Sequence, residues 1–506
     1  LRTEFTALDF VVLVTYLVGI TALGVWIGRG QKDSKDYFVA GRTIPWWAVL
    51  FSVVASETSA LTFISIPGLA YVGNLGFLQV ATGYLLGRIV VAYTLLPRYY
   101  RGNLVTAYAL LETRFGLATR RFTSIVFMVT RGMADSVRVF ATAVPIALIL
   151  GPLLPAAAVM PTAVLVLGTL TILYTFKGGM RAVVWTEIVQ AAVYLFGGIS
   201  ALVIIGHMVA GGWTHIVDTA SQAGKLHVLD FYTGFDRPHT VFAGLIGGAF
   251  LSMASHGADQ MIVQRLLSAK SLKHAQAAVI GSGVAIVIQF TLFLMIGIGL
   301  WVLNDAKVFP LPDAIFPTFI ITSMPHGLVG LLLAAILAAT MSTHSGAINS
   351  LAAASTHDIY LPLTGRSAED PRTLRVGKLF ALGWGVVLTG GALLFPQNSK
   401  TPVVVVALSI ASFTYGALLG GFFLGILSKR AIQRDAITGM AVGIVTMTFV
   451  VFAKQLMPVF PPLHDILTSL STIAWPWYVL IGTTVTVGVG VLSSFTHSAP
   501  NAQAAA

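Results

Sequence analysis

The stretch Ser52-Val53-Val54-Ala55-Ser56-Glu57-Thr58-Ser59, followed by Thr62, Ser65 and Pro67-Gly68, lies inside an apolar run from 45 to 72. A run of that length crosses a hydrocarbon core of about 30 Å as a helix. Such a helix satisfies its own backbone, and an interruption is tolerated only against protein or a water-filled cavity. A glutamate among hydroxyls, with proline and glycine about three turns on, therefore reads as a broken membrane helix with a site at the break.

Five spans further on, residues 239–258 carry Gly244, Gly247 and Gly248, then Ser252, Ser255, His256 and Gly257. Two interrupted spans at corresponding positions point to an inverted-repeat transporter whose site lies at the repeat interface. Glycines also serve close packing between helices; the glutamate in the first break tilts the reading towards a site. No residue-level identity links the halves, so the repeat rests on hydropathy and breaks.

The whole chain fits that setting. Of its 506 residues 56% are hydrophobic and 10% charged, against roughly 25% charged in soluble domains. We read about thirteen spans: 8–29, 45–72, 74–97, 122–151, 157–175, 182–207, 239–258, 275–302, 326–356, 376–396, 402–427, 436–453 and 474–494. The expected fold class is all-α, a polytopic membrane protein with a five-plus-five inverted repeat and flanking helices. One transmembrane domain spans 8–494, with repeats at about 45–207 and 239–427. Residues 1–7 form an extracellular tail and 495–506 a disordered cytoplasmic one.

The net charge of +11 suggests no nucleic-acid partner, because the basic residues sit in short loops between spans. Alternate loops hold 21 Lys and Arg against 6. That asymmetry places the N-terminus outside and the C-terminus in the cytoplasm of a cell inner (plasma) membrane. With no cysteine there is no disulfide framework and no thiolate metal site. No nucleotide loop, metal-ligand spacing or nucleophile-base motif suggests an enzyme.

Ionisable residues inside spans are costly and read as functional by default. Those singled out in or beside the spans are Glu57, Arg88, Arg131, Asp135, Arg138, Glu187 and Asp259, with His256 and His344. Arg88 and Asp259, towards span ends, read as snorkelling or capping groups, and the histidines as hydrogen-bonded core residues. Arg131, Asp135 and Arg138 share one helical face. On that face Asp135 neutralises one arginine, and the surplus positive charge is left for Glu57 or for a solute carboxylate. The run Ala339-Thr340-Met341-Ser342-Thr343-His344-Ser345 is a hydroxyl cluster in an apolar helix. It suits a hard cation, or hydroxyls bonding back to the preceding turn.

Several longer stretches carry a resemblance. Tyr174-Thr175-Phe176-Lys177-Gly178-Gly179-Met180-Arg181, continuing to Trp185-Thr186-Glu187, is similar to the signature of the sodium:solute symporter family. Asp259-Gln260-Met261-Ile262-Val263-Gln264-Arg265 resembles the segment after that family's broken helix. Ile336-Leu337-Ala338-Ala339-Thr340-Met341-Ser342-Thr343, ending in Asp358-Ile359-Tyr360, resembles its sodium-site helix.

The resemblance implies a sodium ion held by backbone oxygens of Ala55, Thr58 and Ala339 and hydroxyls of Ser342 and Thr343. It implies a second sodium or coupling site at Glu187 and Ser345, where Glu187 replaces the family's aspartate and Gly346 a serine. Solute contacts fall on Glu57, Ser59, Thr62, Phe77, Arg138, Ser252, Ser255 and His256. The run around Glu57 is similar to the proline symporter branch, and the hydroxyls at Ser59 and Thr62 with Arg138 resemble sialic-acid members. The partners implied are the lipid bilayer and a small charged or zwitterionic solute, an amino acid, sialic acid or other carboxylate, with no obligate protein partner. Proton coupling, a sodium/sugar symporter, and a channel or sensor on the same helices remain alternatives.

Overall fold

A computed structural model describes residues 6–29, 33–58, 60–102, 104–151, 154–309, 312–394 and 403–498. Ser59 and the tail from 499 lie outside the described residues, as does the end of the tenth span. Every span read from the sequence falls on helix. The main helices are α1 (Ala7–Ile27), α2 (Trp46–Glu57), α3 (Ala60–Val72), α4 (Phe77–Thr94), α5 (Leu117–Leu150), α6 (Ala156–Met208) and α7 (Gly248–Gly257). They continue as α8 (Gln260–Leu267), α9 (Leu272–Leu303), α10 (Leu328–Ala354), α11 (Pro371–Leu393), α12 (Val403–Leu427), α13 (Gln433–Val451) and α14 (Trp477–Ser494). Among the described residues, eight helical stretches are by themselves long and apolar enough to cross a membrane.

The fifth and sixth spans share α6, whose 53 residues would reach about 80 Å if straight, far beyond the hydrocarbon core. Gly179 divides them with φ 54° and ψ −156°. That backbone conformation favours glycine, and a Cβ there would lie 2.5 Å from the Tyr37 carbonyl oxygen.

Both expected breaks exist, but they are made differently. The first falls after Glu57, where Thr58 turns extended at ψ 100° and ends α2. The second falls at Ala258 and Asp259, between α7 and α8. Gly244, Gly247 and Gly248 do not make it. They lie in helix, Gly244 and Gly247 in a π-helical turn over Ala243–Gly247 and Gly248 at the start of α7. There they let backbones meet: a Cβ on Gly83 would lie 2.1 Å from the Gly244 carbonyl oxygen, and one on Gly87 2.3 Å from that of Ala249. Small residues thus set the approach of α4 and α7.

The apolar core divides at the level of the first break. Val49 and Val53 pack with Met253, Met261, Ile262 and Leu351 on one side. Val54 and Ala55 pack with Phe63, Tyr194, Phe290 and Ile336 on the other. All of α8 is buried, with the Gln260 amide donating to the Val105 carbonyl and the Gln264 amide to that of Phe38. The α8 side of the break is therefore sealed.

Candidate ion and solute site

Three groups of charge surround the broken helices, each balanced internally. At the end of α2, Glu57 pairs with Arg88 of α4, whose other guanidinium nitrogen donates to Ser282 Oγ at 2.7 Å. Arg88 is fully buried, so it does not snorkel as the sequence suggested. His256 Nε2 stands 3.7 Å from the Glu57 carboxylate, and its Nδ1 lies 2.8 Å from Ser255 Oγ. Ser252 shares that turn of α7. Glu57, Ser252, Ser255 and His256 are thus brought together, with 23% of the Glu57 side chain open.

The second group lies on α5. Asp135 meets Arg131 at 2.5 Å and Arg138 at 3.0 Å. Arg131 also reaches Asp259 at 3.0 Å, and Asp259 accepts from Tyr415 Oη at 2.7 Å. Asp259 caps α8 as expected, accepting from the Met261 amide at 2.8 Å. It also removes the surplus positive charge that the sequence assigned to this face, since two carboxylates meet two arginines. Glu57 takes no part, being held by Arg88. Arg138 is the open member, its side chain 21% exposed against 7% for Arg131.

The third group centres on Glu187 of α6. Arg265 of α8 grips its carboxylate with two nitrogens, Nη2 at 2.5 Å and Nε at 3.2 Å. Ser52, Ser56 and Ser342 donate to the same carboxylate. Sequence reasoning counted Arg265 among loop charges. The signal that could have found it is the apolar run Met261-Ile262-Val263 with Leu266-Leu267, which marks a helix buried all round; a charge there requires a partner.

Between these groups lie the sodium ligands implied by the resemblance. The last four carbonyls of a helix lack intrahelical donors, and ending α2 at Glu57 frees those of its last turn. Thr343 of α10 reaches across to the Ser56 carbonyl at 3.4 Å and bonds back to Ala339 O at 3.1 Å. Ala55, Ala339, Ser342 and Thr343 are all buried, so the Thr343 hydroxyl of α10 meets the freed carbonyls of α2 inside the protein. That donor set fits a hard monovalent cation. The Thr58 hydroxyl is engaged by Val54 O, Gln289 and Tyr194, so of its two oxygens the carbonyl is the one the resemblance implies. Glu187 and Ser345 do not meet: Ser345 Oγ turns to the Ser342 carbonyl at 3.0 Å.

Of the remaining solute candidates, Thr62 is half-buried on α3. Phe77 packs its ring against His239 and Phe290. His344 departs from expectation: it is buried, yet neither ring nitrogen has a hydrogen-bond partner.

The comparisons with known proteins agree with this geometry. The chain is 30% identical over 499 residues to the sodium/sialic acid symporter NanT of Aliivibrio fischeri, covering 97% of this chain and 94% of that one. It is 28% identical over 475 residues to sodium-coupled monocarboxylate transporter 1 of Homo sapiens, covering 91% and 76%. A solved structure of a Na+-coupled sialic acid symporter, in a substrate-bound outward-open state, superposes with a TM-score of 0.83 at 27% identity, covering 98% of this chain and all of its own. The model of the sodium:solute symporter family matches residues 37–443. Broken helices, facing oxygens and these likenesses converge: the chain belongs to the sodium:solute symporter family, and is a sodium-coupled solute symporter rather than an enzyme.

Proposed function

We propose that the chain imports a small organic acid, with Arg138 as anchor for the carboxylate and with sodium held by oxygens of Ala55, Thr58, Ala339, Ser342 and Thr343. The observation that carries this reading is the state of Arg138. It is tied to Asp135 through one nitrogen at 3.0 Å, and 21% of its side chain remains open. An arginine fork matches a carboxylate in two parallel hydrogen bonds. Sialic acid and monocarboxylates, the solutes of the relatives named above, both present that group.

Charge balance explains why sodium is needed. The three buried groups are neutral as sets, so an incoming anion brings an uncompensated charge. A sodium ion bound nearby offsets that charge: a separation on the order of 10 Å, at an effective dielectric of about 20, would give about 1.7 kcal/mol. By linkage each ligand then tightens the other by the same factor, roughly fifteen- to twentyfold. The same balance disfavours a zwitterion, because Glu57 is already occupied by Arg88. In this scheme the N-terminus lies outside, the sealed α8 side faces the cytoplasm, and the solute enters from the α3 side.

Reconstituted protein given N-acetylneuraminate, lactate, proline or glucose, in sodium or in choline at fixed pH, tests the reading. Sodium-dependent uptake and counterflow of an acid are expected. Uptake of glucose alone, or acid uptake unchanged in choline, would sink it.

A further inference from the structure

The relation between Glu187 and Arg265 bears on how many ions travel with each solute. It rests on the sodium-coupled reading above. The Glu187 carboxylate is fully buried, and four donors converge on it, two nitrogens of Arg265 and the hydroxyls of Ser52 and Ser342, while the Ser56 hydroxyl shares its one proton between Glu187 and the Ser52 carbonyl. An ionised carboxylate offers about four lone-pair sites. Its accepting capacity is used up and its charge is neutralised at contact distance.

Space is used up as well. A Cβ on Gly346 would lie 2.2 Å from Arg265 Nη2, 3.1 Å from Cζ and 3.2 Å from Nη1. The guanidinium therefore lies against the bare backbone of Gly346, where any side chain would displace it. Arg265 Nη1 is fixed further by the Met261 carbonyl at 2.5 Å. Ser345, the remaining hydroxyl on this turn, points to the Ser342 carbonyl and away from Glu187. The residues present do not fit a second sodium ion: the one carboxylate that would hold it already has a cation, and the place of a further hydroxyl is taken by that cation.

We infer that Arg265 is a tethered counter-cation that replaces a second sodium ion, so that the chain binds one sodium per solute molecule. The same contacts give Glu187 a positioning role. A serine that donates its proton to a carboxylate turns its lone pairs outwards, and Ser342 does so at 3.2 Å from Glu187 Oε1. Arg265 fixes Glu187, Glu187 fixes Ser342, and Ser342 faces the ion. With a monovalent acid as solute, one sodium makes the loaded carrier neutral, consistent with the balanced buried charges.

Equilibrium binding of 22Na+ to the purified full-length chain tests this without knowledge of the solute. One ion per chain is expected, with a Hill coefficient of 1, abolished or weakened at least fivefold by Ser342→Ala and kept within twofold by Ser345→Ala. Two ions per chain would overturn the inference and leave sodium coupling intact. A single ion lost in Ser345→Ala but unmoved in Ser342→Ala would also overturn it, because the ion would then sit beside Glu187. Absence of saturable binding would refute the coupling reading beneath it.

Discussion

At the scale of single residues, the site separates groups that hold ligands from groups that hold those groups. In the proposed site Ser342 and Thr343 each offer one oxygen to a small shell, so Ser342→Ala or Thr343→Ala is expected to raise the sodium concentration for half-maximal uptake several-fold; an unchanged sodium curve would reject the assignment. Arg138→Lys keeps the charge and loses the fork. It should weaken acid binding by about 1.5–3 kcal/mol, as for a charge-assisted hydrogen bond, read as a tenfold or larger loss in a solute titration; Arg138→Lys and Arg138→Gln both binding like the parent would make the arginine structural. Glu187→Gln belongs to the supporting set. It strands a fully buried guanidinium, and breaking a buried pair costs about 3–5 kcal/mol. A marked fall in detergent melting temperature is therefore expected, and a parent-like melt would show that Arg265 finds another partner.

At the scale of elements, one support comes from outside the broken helices. Asp9, near the start of α1, accepts from the amides of Gly327 at 2.7 Å and Gly330 at 2.9 Å, and so caps the helix that carries Ser342 and Thr343. Asp9→Ala removes that cap, and about 0.5–2 kcal/mol of stability is expected to go with it. Thermal unfolding should report the loss while the sodium affinity stays within twofold; a large affinity change would mean that α10 is positioned from its far end. Much at this scale was legible in the sequence. The break after Glu57 announced itself because a glutamate, hydroxyls and Pro67-Gly68 contradict a lipid-facing helix, and α10 because hydroxyls cluster in an apolar run. The break at Ala258–Asp259 lies beyond Gly244, Gly247 and Gly248, which helped to mark that span as interrupted, since glycine serves a break and a close approach equally well and only the neighbouring helix decides between them. The partners of Arg88 and Arg265 were not legible. Their carboxylates lie 31 and 78 residues away, and nothing local encodes which face of α2 or α6 will meet them. The role of Asp9 was not legible either, because the amides it caps lie 318 and 321 residues away.

At the scale of the whole molecule, the Glu187 cluster draws together α2 through Ser52 and Ser56, α6 through Glu187 itself, α8 through Arg265 and α10 through Ser342. Any opening of the sealed side that carries α2 or α8 away from α6 and α10 must take this cluster apart. Sodium bound at Ser342, as proposed, would hold α10 in the arrangement that keeps it together. Sodium accumulating in the receiving compartment would then act as a brake, rebinding and holding the carrier shut before it can return empty. Vesicles preloaded with sodium should accordingly show slowed net uptake at an unchanged external sodium concentration, whereas vesicles preloaded with solute and sodium together should show accelerated exchange. Equal rates in empty and sodium-loaded vesicles would mean that the return step does not pass through Glu187. A cell whose sodium pumps falter would thus lose uptake twice over, once through the weaker driving force and once through trans-inhibition.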